Sequence, residues 1–363
     1  MEAIKKDTER FTCPGCGANI KFNPKEQSMT CPYCDTKIQI QEEIGEITEY
    51  CFKSFLENPP KEWDRNQKVI HCDSCGADTI IEAHILSKSC PFCGSSHIVQ
   101  DSIKAGIPPE TLIPFKIGKK EAEEKFRVWI GKKFFAPNTL KEQYISHKLE
   151  GLYLPFWTYD AQTSSLYTAQ AGTYYWVTET HWTTVNGKRQ RVTRQVRKIR
   201  WRHVSGSFSQ FFDDVLVLGS THVNEKIINK IKPFNLRELV YYKPEYLSGF
   251  ITEKYSVGLK EGWQAAKREI DLTIRSGIIR QINADEVKGL NINTNYNDIK
   301  FKHLLLPVWI SAYTYKGKRY QFMINGQTGR IDGEAPISPW KVAFAVLTAI
   351  MFIFIIISVI RMY

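Results

Sequence analysis

Apolar positions along the chain change their spacing from one region to the next. At the far end, "VAFAVLTAIMFIFIIISVI", from Val342 to Ile360, is a run of 19 residues without a charge. As a helix it is about 28 Å long, close to the ~30 Å hydrocarbon thickness of a bilayer. It is apolar on every face, at the terminus of the chain, which predicts a transmembrane helix over 340–361 rather than a buried core helix. Trp340 and Lys341 before it, and Arg361 and Tyr363 after it, are the aromatic and snorkelling residues expected at the two bilayer boundaries.

Upstream the apolar spacing becomes helical. Ala122, Phe126, Trp129, Ile130 and Phe134 share one face of "KKEAEEKFRVWIGKKFF", and Leu259, Trp263, Ala266, Ile270, Ile274 and Ile278 share one face of "GLKEGWQAAKREIDLTIRSGI". Both read as core-packing helices. Strand patterns surround them. "LYLPFW" at 152–157 returns as "LLLPVW" at 304–309, an offset of 152, through either two related β-units or two equivalent edges of one sheet. Proline cannot donate to a ladder, so Pro155 and Pro307 are expected at a sheet edge or strand start, with Trp157 and Trp309 in the core.

The clearest hairpin covers 173–204, where two β-rich runs meet at Asn186-Gly187, a pair suited to a type I′ turn. Counting back from that turn pairs Trp182 with Arg191, Glu179 with Arg194 and Trp176 with Arg197. A second hairpin reverses at Asn325-Gly326 and Thr328-Gly329. Adjacent Asp213 and Asp214 lie in a strand pattern, where neighbours point to opposite faces, so they make a poor acid/base pair.

Cysteines add the first candidate chemistry. "CPGCGANIKFNPKEQSMTCPYC" (13–34) and "CDSCGADTIIEAHILSKSCPFC" (72–93) are each two Cys-x-x-Cys pairs separated by fourteen residues, so eight of the nine cysteines belong to two copies of one unit. Each pair offers two thiolates on one tetrahedral edge. Cys13, Cys16, Cys31 and Cys34, and then Cys72, Cys75, Cys90 and Cys93, therefore form two four-sulfur cages suited to structural Zn, with iron or a single occupied site as the alternatives. Gly17, Gly76 and Gly94 follow the second cysteine of a knuckle, where a tight turn is needed, and Asp35 is the exception. Closed four-thiolate sites leave no open position for catalysis. Cys51, among the apolar residues of "EYCFKSF", is expected to be buried, and His71, His84 and His97 to be ordinary surface or hairpin residues.

Charge is divided unevenly. Residues 1–104 hold 12 Lys/Arg and 16 Asp/Glu, and residues 105–363 hold 37 and 22, so the ribbons are not the basic part of the chain. That weakens nucleic-acid binding by the ribbons. From Lys188 to Arg202 there are eight Lys/Arg and no acid. This strand is either a solvated edge protected from aggregation or a docking surface for an acidic partner, anionic lipid or nucleic acid, through Arg191, Arg194, Arg197 and Arg200. The start "MEAIKKDTERF" lacks an apolar export segment, and thiolate ligands need a reducing compartment, so the protein is expected to be a single-pass protein of the cell membrane with its N-terminal bulk in the cytoplasm.

The expected fold class is α+β. It comprises zinc ribbon 1 over 1–40, a linker over 41–68, zinc ribbon 2 over 69–104, a β-rich body with amphipathic helices over 105–335, and the transmembrane helix. "LYLPFW", "WRHVSGSFSQFFDDVLVLGS", "IKPFNLRELVYYKPEYLSGFITEKYSVGLKEGW" and "LLLPVWISAYTYKGKRYQFMINGQTGRIDGEAP", following the ribbons, resemble the bacterial membrane-anchored, TFIIB-type zinc-ribbon proteins of the YdjG kind. Relatives often carry the name primosomal protein N′ or replication factor Y helicase, which this chain does not support because it has no phosphate-binding loop. The resemblance implies a membrane adaptor for SPFH, flotillin-like or phage-shock-A-type stress proteins and supplies no catalytic residues. It leaves three functions in competition: an adaptor for protein partners, a membrane-tethered nucleic-acid binder using 188–202, and an enzyme without a familiar motif. No small-molecule substrate is expected.

Overall fold

Two long strands, paired antiparallel through their Leu-Pro-x-Trp segments, organise the protein. The computed structural model describes residues 11–41, 47–58, 68–81, 90–93, 98–101, 106–137, 149–185, 188–315 and 318–362. In chain order, β1 (Lys21–Asn23), β2 (Ser28–Thr30) and β3 (Lys37–Gln39) make a separate antiparallel sheet beside the first cysteine quartet. Next come β4 (Tyr50–Cys51), α1 (Phe52–Glu57), β5 (Lys68–Cys72), β6 (Asp78–Ile81) and β7 (Ile98–Asp101). The body carries β8 (Thr111–Leu112), α2 (Lys119–Gly131), β9 (Glu150–Val185), β10 (Lys188–Leu218), α3 (Glu225–Ile231), β11 (Val240–Tyr241) and β12 (Ile251–Glu253). It continues through α4 (Leu259–Ile282), β13 (Glu286–Tyr315), β14 (Lys318–Asn325) and β15 (Ile331–Gly333), and α5 (Pro339–Met362) follows. The protein is α+β, with a strand-rich body, two N-terminal cysteine quartets and one C-terminal apolar helix.

The recurring Leu-Pro-x-Trp segment is the visible part of a longer internal repeat. β9 and β13 pair antiparallel with Leu154 opposite Leu306. On its outer flank each strand first meets a short parallel strand, Leu152 beside Ile251 of β12 and Leu304 beside Thr111 of β8. Each then meets an antiparallel partner, Phe156 beside Leu218 of β10 and Val308 beside Asn325 of β14. The changeover falls at the proline in both cases, where Pro155 and Pro307 accept backbone bonds of 2.8 Å from Gly219 and Gly326. The expectation of an edge or strand-start proline is thus corrected. Both prolines lie inside long strands, at the gap where one outer neighbour has left and the next begins, so no ladder donor is missed.

The correspondence extends into the helices. Trp157 donates through Nε1 to the Val257 carbonyl (2.9 Å) and Trp309 to that of Ile117 (2.8 Å), each one residue before a glycine that starts a helix, Gly258 for α4 and Gly118 for α2. The body is therefore two β-α-β-β units, β8–α2–β9–β10 and β12–α4–β13–β14, each short strand lying on the other unit's long strand.

Strand alternation then distributes the core. Leu152, Leu154, Phe156, Leu304, Leu306 and Val308 face α3 and the second quartet. The opposite face sends Tyr153, Leu305 and Trp309 toward α2 and the first ribbon, and Trp157, Tyr159 and Phe301 toward α4. All six apolar positions expected to face inward from α4 are buried. In α2, Ala122, Phe126 and Ile130 are buried and Trp129 is half-buried, but the helix ends at Gly131 and leaves Phe134 exposed beyond it. Cys51 is also corrected. It is exposed at the start of α1, because Phe52 and Phe55 occupy the inward positions of that turn.

Candidate metal centres and the basic arm

In the first ribbon, Gly17 and Asp35 adopt positive φ (75° and 56°) immediately after the second cysteine of each knuckle, with backbone bonds from Gly17 to Cys13 and from Asp35 to Cys31. Asp35 thus makes the same turn as the glycine, which aspartate tolerates better than most residues. The two knuckles face each other. Cys13 Sγ lies 3.5 Å from Cys34 Sγ, and Cys16 Sγ lies 3.5 Å from Cys31 Sγ. In the second quartet, Cys72 is 3.5 Å from Cys93 and Cys75 is 3.6 Å from Cys90. These separations are far beyond a disulfide bond and near the ~3.8 Å edge of a sulfur tetrahedron with metal–sulfur bonds of about 2.3 Å. Each quartet can hold one zinc ion, and the positions named from the sequence are the ones brought together.

The thiols of Cys13 and Cys16 are pushed in opposite directions. Burial opposes ionisation of Cys13, but the backbone N–H groups of Cys16 and Gly15 favour its thiolate and lower its pKa to about 6. A backbone bond from Ala18 favours the Cys16 thiolate, yet its contacts with Cys34 and Cys31 push it up to about 12. A bound dication removes that conflict by stabilising all four thiolates together.

The quartets are held differently. The first ribbon lies on the body through Phe22 N–H to the Ser248 carbonyl, Ser248 Oγ to the Ile20 carbonyl, and Gln27 Nε2 to the Phe115 carbonyl. The second ribbon continues the main sheet: β6 pairs antiparallel with β12, and Lys254 N–H bonds the Asp78 carbonyl. Cys16 and Cys34 are exposed, whereas in the second quartet only Cys75 is half-exposed. His71 is also placed here, with Nδ1 2.7 Å from Asp78 Oδ1, which raises its pKa; His84, Gly94 and His97 lie outside the described residues.

Beside the second quartet is a buried polar group that the sequence patterns did not single out. Glu253 of β12 is 1% exposed, and its Oε1 accepts from Ser220 Oγ (2.7 Å) and His222 Nδ1 (2.8 Å). Burial raises the Glu253 pKa, and the bond to Glu253 raises that of His222. His222 lies over both knuckles, its ring centroid 5.8 Å from that of Phe92 and its Nε2 4.0 Å from where Gly76 would carry a Cβ. The strand pairing of the two units marks the place: Glu253 lies where Ile113 lies in the other unit, and an acid in a buried strand position needs partners.

Asp213 and Asp214 depart from expectation. A bulge between Phe212 and Val215 puts Asp214 at φ 51°, and one oxygen of each, together with one of buried Asp160, lies within a 4.8 Å group. Adjacent residues share a site because the strand is interrupted there. Burial raises Asp160 to about 6, and Lys302 reaches both Asp214 (2.8 Å) and Glu49 (3.1 Å), so an ion-pair network occupies the position.

The hairpin is present with the expected register, Trp182 opposite Arg191, Glu179 opposite Arg194 and Trp176 opposite Arg197; its turn, Asn186-Gly187, lies outside the described residues. β13 accompanies β9 only as far as Gly172. Beyond it, among the described residues, β9 and β10 pair as strands only with each other over thirteen residues, Thr173 to Val185, a two-stranded arm about 43 Å long at ~3.3 Å per residue. The other unit's hairpin stops after Tyr315, so the arm belongs to one unit alone.

Its base is pinned by Tyr174, whose N–H bonds Asp285 Oδ2 and whose hydroxyl bonds Glu286 Oε1. Arg191, Arg194, Arg197 and Arg200 are all exposed, as are Trp176 (65%) and Trp182 (62%). Two contacts differ from simple cross-strand pairing. Arg197 stacks 4.1 Å over Tyr174 rather than over Trp176, and Glu179 is bonded by Lys198 (2.7 Å) rather than by Arg194. Arg200 lies 5.2 Å over Tyr175.

The last element, α5, is long and apolar enough to cross a membrane, and none of its apolar window is buried against the rest of the protein.

Fold and sites thus define a class: an α+β protein with two four-cysteine centres and one apolar C-terminal helix. The uncharacterized protein YdjG of Bacillus subtilis (strain 168) is similar to this chain, 27% identical over 344 residues that cover 92% of each. No family model and no solved structure matches the chain.

Proposed function

We propose that this protein is a single-pass scaffold of the cell membrane, with its N-terminal bulk in the cytoplasm, two structural zinc ions in its ribbons, and the arm as its docking element for an acidic partner. The arm carries the reading. A two-stranded ribbon gains little stability alone, and this one extends well past the body with a basic strand and exposed tryptophans. Lys341 and Arg330 on the long side of α5, against Arg361 on the short side, favour the cytoplasmic orientation. Closed four-sulfur cages offer no position to a substrate, which supports a binding role over a catalytic one. SPFH, flotillin-like and phage-shock-A-type proteins are the partner classes that the sequence resemblance suggests.

The test is purification of the full-length protein from membranes in mild detergent, beside the variant Arg191→Glu/Arg194→Glu/Arg197→Glu, with bound molecules identified by mass spectrometry. A protein partner recovered with the wild type and lost from the variant supports the scaffold. Nucleic acid that survives moderate salt and is lost from the variant favours the tethered nucleic-acid binder, for which the exposed tryptophans offer stacking surfaces. Equal recovery by both proteins removes the arm from the function. Metal analysis is expected to give two zinc ions per chain; one ion, or a Cys13–Cys16 disulfide, would contradict the metal assignment.

A further inference from the structure

Where α5 leaves the body, it does so beside a second apolar surface. α2 ends at Gly131, and the turn that follows exposes Phe134 (65%) and Phe135 (42%), their rings edge to face at 5.3 Å. The chain entering α5 exposes Ile337 (65%) and Trp340 (85%). Hydrogen bonds hold the two segments together: Ser338 N–H to the Phe135 carbonyl (2.8 Å), and Lys341 Nζ to the carbonyls of Ala136 (2.8 Å) and Phe134 (3.3 Å). Ala136 itself is buried in the core, so the turn is fixed to the body. Only five residues, 334–338, separate β15 from α5, and Glu334 is bonded to the Gln321 carbonyl.

We infer that the Phe134–Phe135 turn is a second membrane contact, inserted at the interface of the same bilayer that α5 crosses; the inference rests on reading α5 as the anchor. Continuity with α5 decides the occupant. A helix that starts at Pro339 with Trp340 at its boundary puts the bilayer surface at that level, and the Phe135 carbonyl bonded to Ser338 is at the same level. Trp340 favours this depth, the apolar rings of Phe134 and Phe135 suit the headgroup/acyl boundary just below it, and Lys132 and Lys133 beside the turn match anionic headgroups. Lys341, at the helix start, turns its amine back to the carbonyls of the turn and out of the hydrocarbon. The contact holds the body against the membrane at two points, so it does not swing from a free tether.

Photo-cross-linking in the full-length protein tests this, with a benzophenone amino acid in place of Phe134, Phe135, Ile350 or exposed Leu272 of α4, in bilayer nanodiscs of phosphatidylcholine with phosphatidylglycerol. Lipid adducts are expected at Ile350, Phe134 and Phe135, several-fold above Leu272. Adducts at Ile350 without adducts at Phe134 or Phe135 overturn the inference and leave the anchor standing. No adduct at Ile350 overturns the anchor and the inference with it, and equal adducts at Leu272 overturn the claim that this turn is the contact.

Discussion

At the scale of single residues, the two cysteine quartets differ in how closely water and competing ligands can approach their sulfurs. Cys16 and Cys34 of the first are exposed, while the second is covered by the sheet and by His222. Zinc is therefore expected to leave the first site faster when a chelator is added. A metal indicator should report two phases, the fast one absent from Cys13→Ser/Cys16→Ser and the slow one from Cys72→Ser/Cys75→Ser. A single phase shared by both sites contradicts this. His303 makes a second prediction. It is buried against Trp157, donates through Nδ1 to the Ile107 carbonyl and, among the described residues, has no hydrogen-bond partner at Nε2, and burial lowers its pKa from 6.5 to about 4. Between those values the unfolded chain takes up a proton that the folded protein refuses. The stability contribution of this residue is therefore whole above 6.5 and falls by about 1.4 kcal/mol per pH unit as pH drops toward 4. In His303→Gln the Tm difference between pH 7 and pH 5 should shrink in detergent-solubilised protein; an unchanged difference would assign the pH dependence elsewhere.

Among the elements, the arm and α4 represent opposite uses of strand and helix. α4 lies across the sheet with its apolar stripe fully buried, so the helical period alone located its inner face. The arm mixes apolar and basic residues, but among the described residues no third strand accompanies it past Gly172, so its pattern specified a hairpin and a register without specifying what covers it. Its removal is therefore expected to be tolerated. Tyr174 and Ile199 are directly opposed, which allows 175–198 to be replaced by Asn-Gly with the base intact. That variant should melt within a few degrees of the wild type and lose the partner sought above; collapse of folding would make the arm part of the structural core. Within the intact arm, Arg197→Glu is expected to cost about 0.5–1 kcal/mol through its stack on Tyr174, whereas Arg191→Glu and Arg194→Glu should leave Tm unaltered.

For the whole molecule, the main sheet passes without interruption from the second ribbon into the body through β6 and β12. The Cys-x-x-Cys spacing presents the ribbons as equivalent modules on a linker, and the structure joins one of them to the sheet. Structural zinc contributes an apparent ~10–16 kcal/mol, comparable to the net stability of a whole domain, about 5–15 kcal/mol. Cys72→Ser/Cys75→Ser is therefore expected to lower the melting temperature of the body by about 10 °C or more, the shift that roughly 4 kcal/mol produces in a domain of this size. Circular dichroism and intrinsic fluorescence should move together. A body that melts at the wild-type temperature after loss of the second zinc would show that the shared strands carry little energy.

Periodicity, metal-ligand spacing and turn chemistry are local, and what they determine here was legible from the chain: the eight cysteines that gather in two quartets, the buried stripe of α4, the hairpin register counted from one turn, and an apolar helix long enough to cross a bilayer. Each depends on residues within one element or one loop of each other. Other features depended on contacts between distant segments and only the tertiary structure decided them. Pro155 and Pro307 sit inside strands because two different neighbours meet there; Asp213 and Asp214 share a site because a bulge interrupts their alternation; Cys51 faces water because Phe52 and Phe55 claim the core. Glu253 is the clearest case. Its sequence surroundings resemble any strand, and only the pairing of β12 with both β6 and β9 shows that it lies where its counterpart is Ile113, buried beside the second cysteine quartet with Ser220 and His222 bonded to its carboxyl group.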